Sequence, residues 1–371
     1  MSGSRGDEID PSALLVHTED IVAVVDVGGG VRYANDATRR MLGWQAGDVA
    51  SVFERVHPDD VAPLLGALGE LVDDTGSPTA QRARVRHADG EWRWLEILAV
   101  NRLDDPAVGG IVLSCRDVTG HVESEAARAR RREADELLAT LAARFVAVTA
   151  DDVDAVIDGV LGELAGFAGV ERGWVSQLRG DELEITHDWW AEGLPGLSPD
   201  QRRLRMADHP GLIAAFARND LVVLPSLDRL AAGPDRTLLE SQRARSLVMA
   251  PLVVDGERRG LVGLQSVRSE HPWPDDVRHV LGAVAALLGA TLRRVVAEAA
   301  LATSEARFRA LLAHTAEGVR LLDADMRTIW ASPWAAMMHG TGHLVHDPDD
   351  RLAMVHPDDR DTVARARADV L

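Results

Sequence analysis

The 371-residue sequence contains no lysine, so its 40 basic side chains are all arginines. It has a single cysteine, Cys115, which excludes an intrachain disulfide and is typical of a reducing cytoplasm. The absence of lysine also removes the Gly-Lys-Ser/Thr element of a phosphate-binding loop, so the triple glycine at 28–30 is interpreted as a hairpin turn. Together with abundant alanine, glycine and valine, this arginine usage indicates a GC-rich bacterial genome.

Positive charge is also scarce, since the formal net charge is −19. A nucleic-acid partner requires a basic face, and an anionic membrane surface repels an acidic chain, so neither partner is expected. The longest apolar run, residues 280–292, is shorter than a bilayer requires and continues into Arg293 and Arg294. The first residues carry no apolar segment of a signal peptide. We therefore expect a cytoplasmic protein with no membrane and no nucleic-acid partner.

One pentapeptide occurs twice, as Val-His-Pro-Asp-Asp at 56–60 and at 355–359. The flanks repeat as well, because residues 13–18 (ALLVHT) align with residues 310–315 (ALLAHT) at an offset of 297. The same offset pairs Tyr33 with Trp330 and Met41 with Met338. A repeat of this length is a duplicated domain and not a solenoid unit. The sequence therefore contains two copies of one unit, separated by a different middle block.

The repeated motif has the features of a helix start. Pro58 suits the first helical turn, the residue before it favours an extended backbone, and Asp59 and Asp60 favour the positive end of the helix. The alternative is that His57, Asp59 and Asp60 bind a metal ion. No metal site is expected, because the proline directs the imidazole away from the carboxylates and no further ligand is spaced nearby.

The first copy predicts an α+β fold, because its order is strand–strand, several short helices and three strands of an antiparallel sheet. Its motifs follow one another as Asp26…Tyr33-Ala34-Asn35…Leu42-Gly43-Trp44, His57-Pro58-Asp59-Asp60, Asp89-Gly90-Glu91-Trp92-Arg93-Trp94 and Asp117-Val118-Thr119. With these motifs, residues 11–119 resemble a PAS domain, and residues 1–10 are expected to be a disordered N-terminus.

The PAS resemblance implies a five-stranded sheet whose concave face, with the helices, encloses a ligand pocket. Tyr33, Asn35, Trp92 and Trp94 are the candidate pocket residues of this domain. The resemblance also implies that Asp117 and Thr119 join the last strand to an outgoing signalling helix and take part in signal relay.

A helical linker is predicted at 120–147, where apolar residues recur at three- and four-residue spacing: Ala134, Leu138, Leu141, Phe145 and Val148. Such a seam packs against an identical helix in a parallel dimer, although a buried helix of a single chain has the same pattern. We favour the homodimer, because the run links domains instead of lying within one.

The middle block, residues 148–290, resembles a GAF domain. The resemblance rests on Arg172-Gly173-Trp174, Thr186-His187-Asp188-Trp189, Ser246-Leu247-Val248…Pro251-Leu252, Gly260-Leu261-Val262-Gly263 and Trp273…Asp275-Asp276. GAF domains bind small molecules or act as dimerising spacers. Attachment of a bilin requires a cysteine that this block lacks, and the signature of cyclic-nucleotide binding requires a lysine.

Five residues of the middle block are candidates for a ligand pocket: Trp174, His187, Trp189, Trp190 and Ser246. In the predicted strand 182–190, Leu183, Ile185, His187 and Trp189 alternate onto one face, so His187 is expected to point into a core or a pocket. The alternative is that these are ordinary core and strand residues, since an apolar site with few polar groups has the same sequence pattern.

A second helical linker, residues 291–303, continues a seam that starts inside the middle block. Its members are Leu281, Val284, Leu288, Leu292, Val295, Ala299 and Ala302, whose average spacing of about 3.5 residues is that of a coiled coil. Residues 304–371 form the N-terminal part of a second PAS copy, in which Ser332 replaces Asn35. No counterpart of the last three strands follows, so we expect a fragment of a longer protein.

The sequence therefore predicts a sensory segment of a bacterial signalling protein, with PAS and GAF domains joined by coiled-coil-like helices. A small molecule or partner would bind in a PAS or GAF pocket and act through a dimer on an output domain. The arrangement implies a cyclic-di-GMP cyclase or phosphodiesterase, or a histidine kinase, as that output. The alternative is a ligand-free dimerising adaptor. No catalytic motif, metal cluster or specific cofactor is indicated.

Overall fold

A computed structural model describes residues 18–45, 48–73, 78–218, 220–314, 318–323, 328–338 and 355–368. The expected disordered segment, residues 1–10, lies outside the described residues. The chain divides into two compact units, residues 1–133 and 134–371.

The first domain contains a five-stranded antiparallel sheet in the order β2–β1–β5–β4–β3. Its strands are β1 (Ile21–Val25), β2 (Val31–Ala34), β3 (Thr79–Arg86), β4 (Trp92–Arg102) and β5 (Gly110–Asp117). Helices α1 (Ala37–Leu42) and α2 (Pro58–Asp73) lie between β2 and β3. Alternation along the strands places Ala23, Val85 and Leu95 on the side that forms the buried core. The α+β class predicted from the sequence is confirmed.

The His-Pro-Asp-Asp motif starts a helix in both copies. In the first copy the His57 ring nitrogen Nδ1 accepts the backbone N–H of Asp59 at 3.3 Å, and α2 begins at Pro58. In the second copy Nδ1 of His356 accepts the N–H of Asp358 at 3.4 Å. The imidazole therefore satisfies one of the free N–H groups of the first turn. Among the described residues, no group of three or more ligand side chains is placed to hold a metal ion.

The middle domain is built on a six-stranded antiparallel sheet in the order β8–β7–β6–β11–β10–β9. These strands are β6 (Arg172–Arg179), β7 (Glu182–Trp190), β8 (Arg203–Arg205), β9 (Val222–Leu224), β10 (Ser246–Val254) and β11 (Glu257–Ser266). One face packs against helices α3 (Thr119–Ala147), α4 (Val153–Ala168) and α7 (Asp275–His314). The other face is covered by the segment between β7 and β10, which contains α5 (Pro210–Arg218) and α6 (Pro234–Ser241).

The two seams predicted to pack in a dimer are largely buried within a single chain. In α3, Ala134, Leu141 and Phe145 are 2%, 0% and 2% exposed and belong to the core of the middle domain. In α7, Leu281 and Leu288 are each 1% exposed or less in the same core. These residues are core positions of the middle domain, which corresponds to the alternative of a buried helix within a single chain. A helix packed on a sheet and a helix in a coiled coil have the same apolar spacing, and the homodimer itself stays a prediction.

Helix α7 has the length and composition of a membrane-spanning segment over Asp275–Leu311. Its first half supplies Val277, Val280, Leu281, Val284 and Leu288 to the core of the middle domain. This burial accounts for the apolar residues of the first half of the helix.

A β-bulge in β7 overturns the expected alternation of that strand. Val175 pairs with His187 whereas Ser176 pairs with Ile185, so Thr186 is an extra residue in β7. One extra residue reverses the facing of every side chain beyond it. Leu183 and Ile185 consequently lie in the cluster beneath the covering segment, whereas His187 and Trp189 face the helices. The prediction that these four residues share one face is wrong.

The second copy repeats the backbone of the first in its opening hairpin, β12 (Arg320–Leu322) and β13 (Thr328–Ala331). The pairs Ala23–Ala34, Val24–Tyr33 and Val25–Val31 recur as Arg320–Ala331, Leu321–Trp330 and Leu322–Thr328, with the same irregularity before the last pair. Helices α8 (Pro333–Met338) and α9 (Arg360–Ala368) follow. The duplication inferred from the sequence therefore extends to strand register.

Candidate ligand-binding site

A cavity of about 540 Å³ lies between the concave face of the first sheet and helices α1 and α2. Its volume is within the range of sites that bind small molecules. Most of its wall is apolar, and the strands contribute Ile21, Ala23, Val25, Val85, Leu95, Ile97, Ala99, Leu113 and Cys115. The helix α2 contributes Leu64, Ala67, Leu68 and Leu71.

The charged residues of the cavity wall are at its mouth. Asp36 and Arg39 line the cavity, yet both are exposed to solvent. Within the cavity, burial raises the pKa of the Cys115 thiol to about 12, so this group is a neutral thiol at physiological pH. The interior described by the structure is therefore uncharged.

One polar side chain of the cavity wall is buried and has no hydrogen-bond partner in the described part of the chain. The hydroxyl oxygen of Thr38, in α1, is buried and unpaired. The side-chain amide of Gln81, in β3, also faces the cavity and makes no hydrogen bond there. Buried polar groups are normally paired in proteins, so the Thr38 hydroxyl is available to a bound molecule. Gln81 is half-buried, and its amide is a second group that a bound molecule can reach.

Of the four residues proposed for the first pocket, only Asn35 lines this cavity. Tyr33 is 47% exposed and Trp92 is 38% exposed, and both lie away from the cavity wall. The indole of Trp94 lies beneath the Arg84 guanidinium, 5.4 Å from its ring centre, and is also outside the cavity.

The polar atoms of Asn35 are engaged in holding the first hairpin together. Its Oδ1 accepts the Val22 N–H at 3.1 Å, and its Nδ2 donates to the carbonyl of Asp20 at 3.1 Å. In the second copy the hydroxyl of Ser332 accepts the equivalent N–H, that of Val319, at 3.2 Å. The position therefore has a structural role that both copies retain.

The predicted relay residues form the junction between β5 and α3. The Asp117 carboxylate accepts the Thr119 N–H at 2.8 Å at the start of the helix. The Thr119 hydroxyl accepts the Trp94 N–H at 2.8 Å, and the Val118 N–H donates to the Trp94 carbonyl at 2.8 Å. The helix start is thus tied to β4, whose next residue, Leu95, lines the cavity.

The five candidate residues of the middle domain are divided between the two faces of its sheet. Trp174 and Trp190 lie on the side of the covering segment, against the Arg172 guanidinium. His187 contacts Asp154 of α4 through Nε2 at 3.2 Å, and Trp189 packs against the helix core. Ser246 alternates with the core residue Val248 onto the same helix-facing side. A single pocket therefore cannot include all five.

Arg172 is a buried cation that the pocket assignment missed, although it belongs to the Arg-Gly-Trp motif. It is 1% exposed, and its guanidinium carbon lies 5.0 Å from the Trp174 ring centre and 4.8 Å from that of Trp190. Its Nη1 donates to the side-chain oxygens of Gln265 at 2.9 Å and Gln242 at 3.2 Å. Burial lowers the pKa of Arg172 to about 10, so the cation is retained at neutral pH.

Three family models match the chain in sequence order. The PAS fold matches residues 31–106, the GAF domain matches residues 152–292, and the PAS domain matches residues 306–369. No catalytic domain is among these matches. No curated protein is a significant match.

Solved structures similar to this chain include chromophore-binding domains of phytochromes. One is from Stigmatella aurantiaca, with 14% identity, a TM-score of 0.37, and coverage of 73% of this chain and 93% of that chain. Another is from the bacteriophytochrome of R. palustris, with 13% identity, a TM-score of 0.39, and coverage of 76% and 95%.

A GAF domain from Synechocystis, solved in its photoproduct state, is similar over 40% of this chain and 98% of its own, with 15% identity and a TM-score of 0.36. Similarity at this level concerns the fold alone. The family matches and the repeated hairpin register agree on the order of domains. The chain therefore contains a PAS fold, a GAF domain and a second PAS domain, in that order.

Proposed function

We propose that this chain is a sensory segment of a cytoplasmic signalling protein, and that its first PAS domain binds a small molecule. The observation that carries the proposal is the cavity of about 540 Å³, whose wall is apolar apart from a few polar groups. Such a combination of apolar wall and sparse polar groups is typical of ligand sites. The GAF domain, whose candidate residues lie on two faces of the sheet, is assigned the role of a relay.

The contacts of the β5–α3 junction support a route from the cavity to the GAF domain. Ile97, Leu113 and Cys115 place β4 and β5 against a bound molecule, and β5 leads through Asp117 and Thr119 into α3. The second part of α3 supplies Leu141 and Phe145 to the GAF core. A ligand that binds one arrangement of β4 and β5 more tightly would increase the population of that arrangement, and with it the corresponding position of α3.

The last turns of α7 are the surface that we assign to a homodimer. Leu301, Phe308 and Leu311 are 62%, 62% and 63% exposed and follow one another at seven- and three-residue spacing. This spacing is that of a two-stranded seam, and here it lies beyond the part of α7 buried in the GAF core. The output would be a cyclic-di-GMP cyclase or phosphodiesterase, or a histidine kinase, as the domain arrangement implies.

Native mass spectrometry of the purified chain, compared with the same sample denatured, tests both parts of the proposal. We expect a dimer, and an additional non-covalent mass that is absent from Ala67→Phe, because Ala67 lines the cavity and a phenyl ring would occupy it. A wild-type dimer without added mass, and without any ligand-dependent melting shift, would favour a dimerising adaptor.

The dimer is tested separately with the double variant Leu301→Glu and Phe308→Glu. It should be monomeric at micromolar concentration, because like charges would face each other across the seam. Val146→Glu, which also places a carboxylate at an exposed apolar position, is the control and should remain dimeric. If both variants remain dimeric, the end of α7 is excluded as the dimer interface.

A further inference from the structure

Among the described residues that line the cavity of the first PAS domain, none supplies a buried counter-ion for a charged ligand. Its charged wall residues, Asp36 and Arg39, are exposed at the mouth, and the Cys115 thiol inside is neutral. Transfer of an ionised group from water to an apolar interior is strongly unfavourable unless an opposite charge accompanies it. The buried part of any bound molecule must therefore be uncharged.

Thr38 differs from other threonines in the helices of this chain. Thr140, Thr237, Thr291 and Thr303 each donate their hydroxyl to the carbonyl four residues earlier, at 2.8–3.1 Å. Helix α1 begins only at Ala37, so the residue four positions before Thr38 is Ala34 in β2. The intrahelical acceptor is therefore missing, and the buried hydroxyl of Thr38 has no partner in the described structure.

Gln81 offers a second polar contact on the opposite side of the cavity. Its side chain lies on β3, which pairs Gln81 with the cavity residue Ile97 of β4, whereas Thr38 lies on α1. The amide can both donate and accept a hydrogen bond, and it makes neither among the described residues. A molecule that spans the cavity can thus be held at two points, one on the helix wall and one on the sheet.

We propose that the cavity selects a neutral, mainly apolar molecule with a hydroxyl or carbonyl group bonded to the Thr38 hydroxyl. Thr38 is then the residue that determines specificity, and Gln81 is a second polar contact. The inference rests on the proposed function, because it names the class of ligand for the same cavity. To that function it adds two features of the ligand: the ligand is uncharged, and it forms a hydrogen bond with the Thr38 hydroxyl.

Three probes of similar shape test the requirement: 1-naphthol, naphthalene and 1-naphthoate, titrated into the full chain. We expect 1-naphthol to bind at least about tenfold more tightly than 1-naphthoate, because the carboxylate would be buried without a counter-ion. In Thr38→Val, 1-naphthol should bind about fivefold more weakly while naphthalene binding is unchanged, which is the usual effect of one lost hydrogen bond. Thr38→Ser, which keeps the hydroxyl, should stay within about twofold of wild type.

The melting temperature of the unliganded variants separates ligand binding from a structural role. Thr38→Val should melt no lower than wild type, because it removes a hydroxyl that has no partner. A lower melting temperature, or equal loss of 1-naphthol and naphthalene, would show that Thr38 supports the fold and would overturn the inference.

The outcomes also separate this inference from the proposed function. Tight binding of 1-naphthoate, abolished by Ala67→Phe, would leave a ligand-binding cavity and reject the neutral class. If the wild-type chain binds none of the three probes, both the ligand class and the small-molecule function of this cavity are rejected.

Discussion

The carboxylate of Asp60 joins two elements of the first PAS domain. It accepts three hydrogen bonds from Arg84: from the backbone N–H at 2.9 Å, from Nε at 2.9 Å and from Nη2 at 2.8 Å. These contacts join the start of α2 to the edge strand β3. We therefore predict that Asp60→Asn destabilises this domain, and we choose the same motif position in the second copy, Asp359→Asn, as control.

The expected size of the effect follows from the pKa of Asp60. Hydrogen bonding to Arg84 lowers this pKa from 3.8 to about 2, and the carboxylate is only 18% exposed. A difference of this size between the folded and unfolded states corresponds to about 2 kcal/mol of stability at neutral pH. Asp359 is exposed and makes no ion pair in the described part of the second copy, so its substitution should cost less than about 0.5 kcal/mol.

The effect of Asp60→Asn should depend on pH in a defined direction. Because the folded-state pKa is lowered, the stabilisation is fully present above pH 3.8 and is lost as the pH falls through about 2. Wild type and variant should therefore differ by the same amount at pH 7 and pH 5. About half of the difference should remain at pH 3, and little of it at pH 2.

Cys115 makes the measurement specific for this domain, because it is the only cysteine and is 7% exposed within the first PAS core. Its labelling by 4,4′-dithiodipyridine along a urea series reports the unfolding free energy of the first PAS domain, whatever the GAF domain does. A difference below about 0.5 kcal/mol at pH 7, or one that stays constant down to pH 2, would refute the assignment of stability to the Asp60–Arg84 pair.

Two further predictions concern packing. Gly289→Ala should destabilise the GAF domain by about 3 kcal/mol, because the added methyl group would overlap the backbone carbonyl of Val253. Gly282 lies in the same helix and has open space around it, so Gly282→Ala should stabilise the domain by up to about 1 kcal/mol. Thermal melts in which both variants shift equally would contradict this difference. Asn35→Ser should cost about 1 kcal/mol less than Asn35→Ala, since a hydroxyl can still accept the Val22 N–H, and equal urea midpoints for the two would exclude that bond as the reason.

The domain order and the first sheet could be predicted from the sequence because they depend on features that are local. The glycine turn at 28–30, the strands that follow the helices and the helix start at Pro58 each depend on residues close in sequence, and the structure has each of them. The duplicated pentapeptide predicted the second hairpin in the same way. Ser332 replaces Asn35 in the second copy, and the structure shows a hydrogen bond that either side chain can make.

Features that depend on tertiary packing could not be predicted. The apolar seam of α3 has the same spacing whether its partner is a sheet or a second helix, and only the surrounding chain decides between them. The bulge at Thr186 adds one residue without a characteristic sequence, yet it reverses His187 and Trp189. Thr38 was missed because an unpaired hydroxyl is recognised only when its neighbours are known.

The shared register of the two hairpins has a consequence for folding. During synthesis the first sheet can be completed before the second hairpin is made. If the first copy is still unfolded when the second hairpin is made, β12 could pair with β5 in place of β1. In that competition β12 would place Arg320 where β1 has Ala23, which is 6% exposed and lines the cavity. A guanidinium at that position would be buried without a counter-ion, so the swapped pairing is penalised. Arg320 would therefore disfavour an exchange between the two hairpins, which share one pairing register.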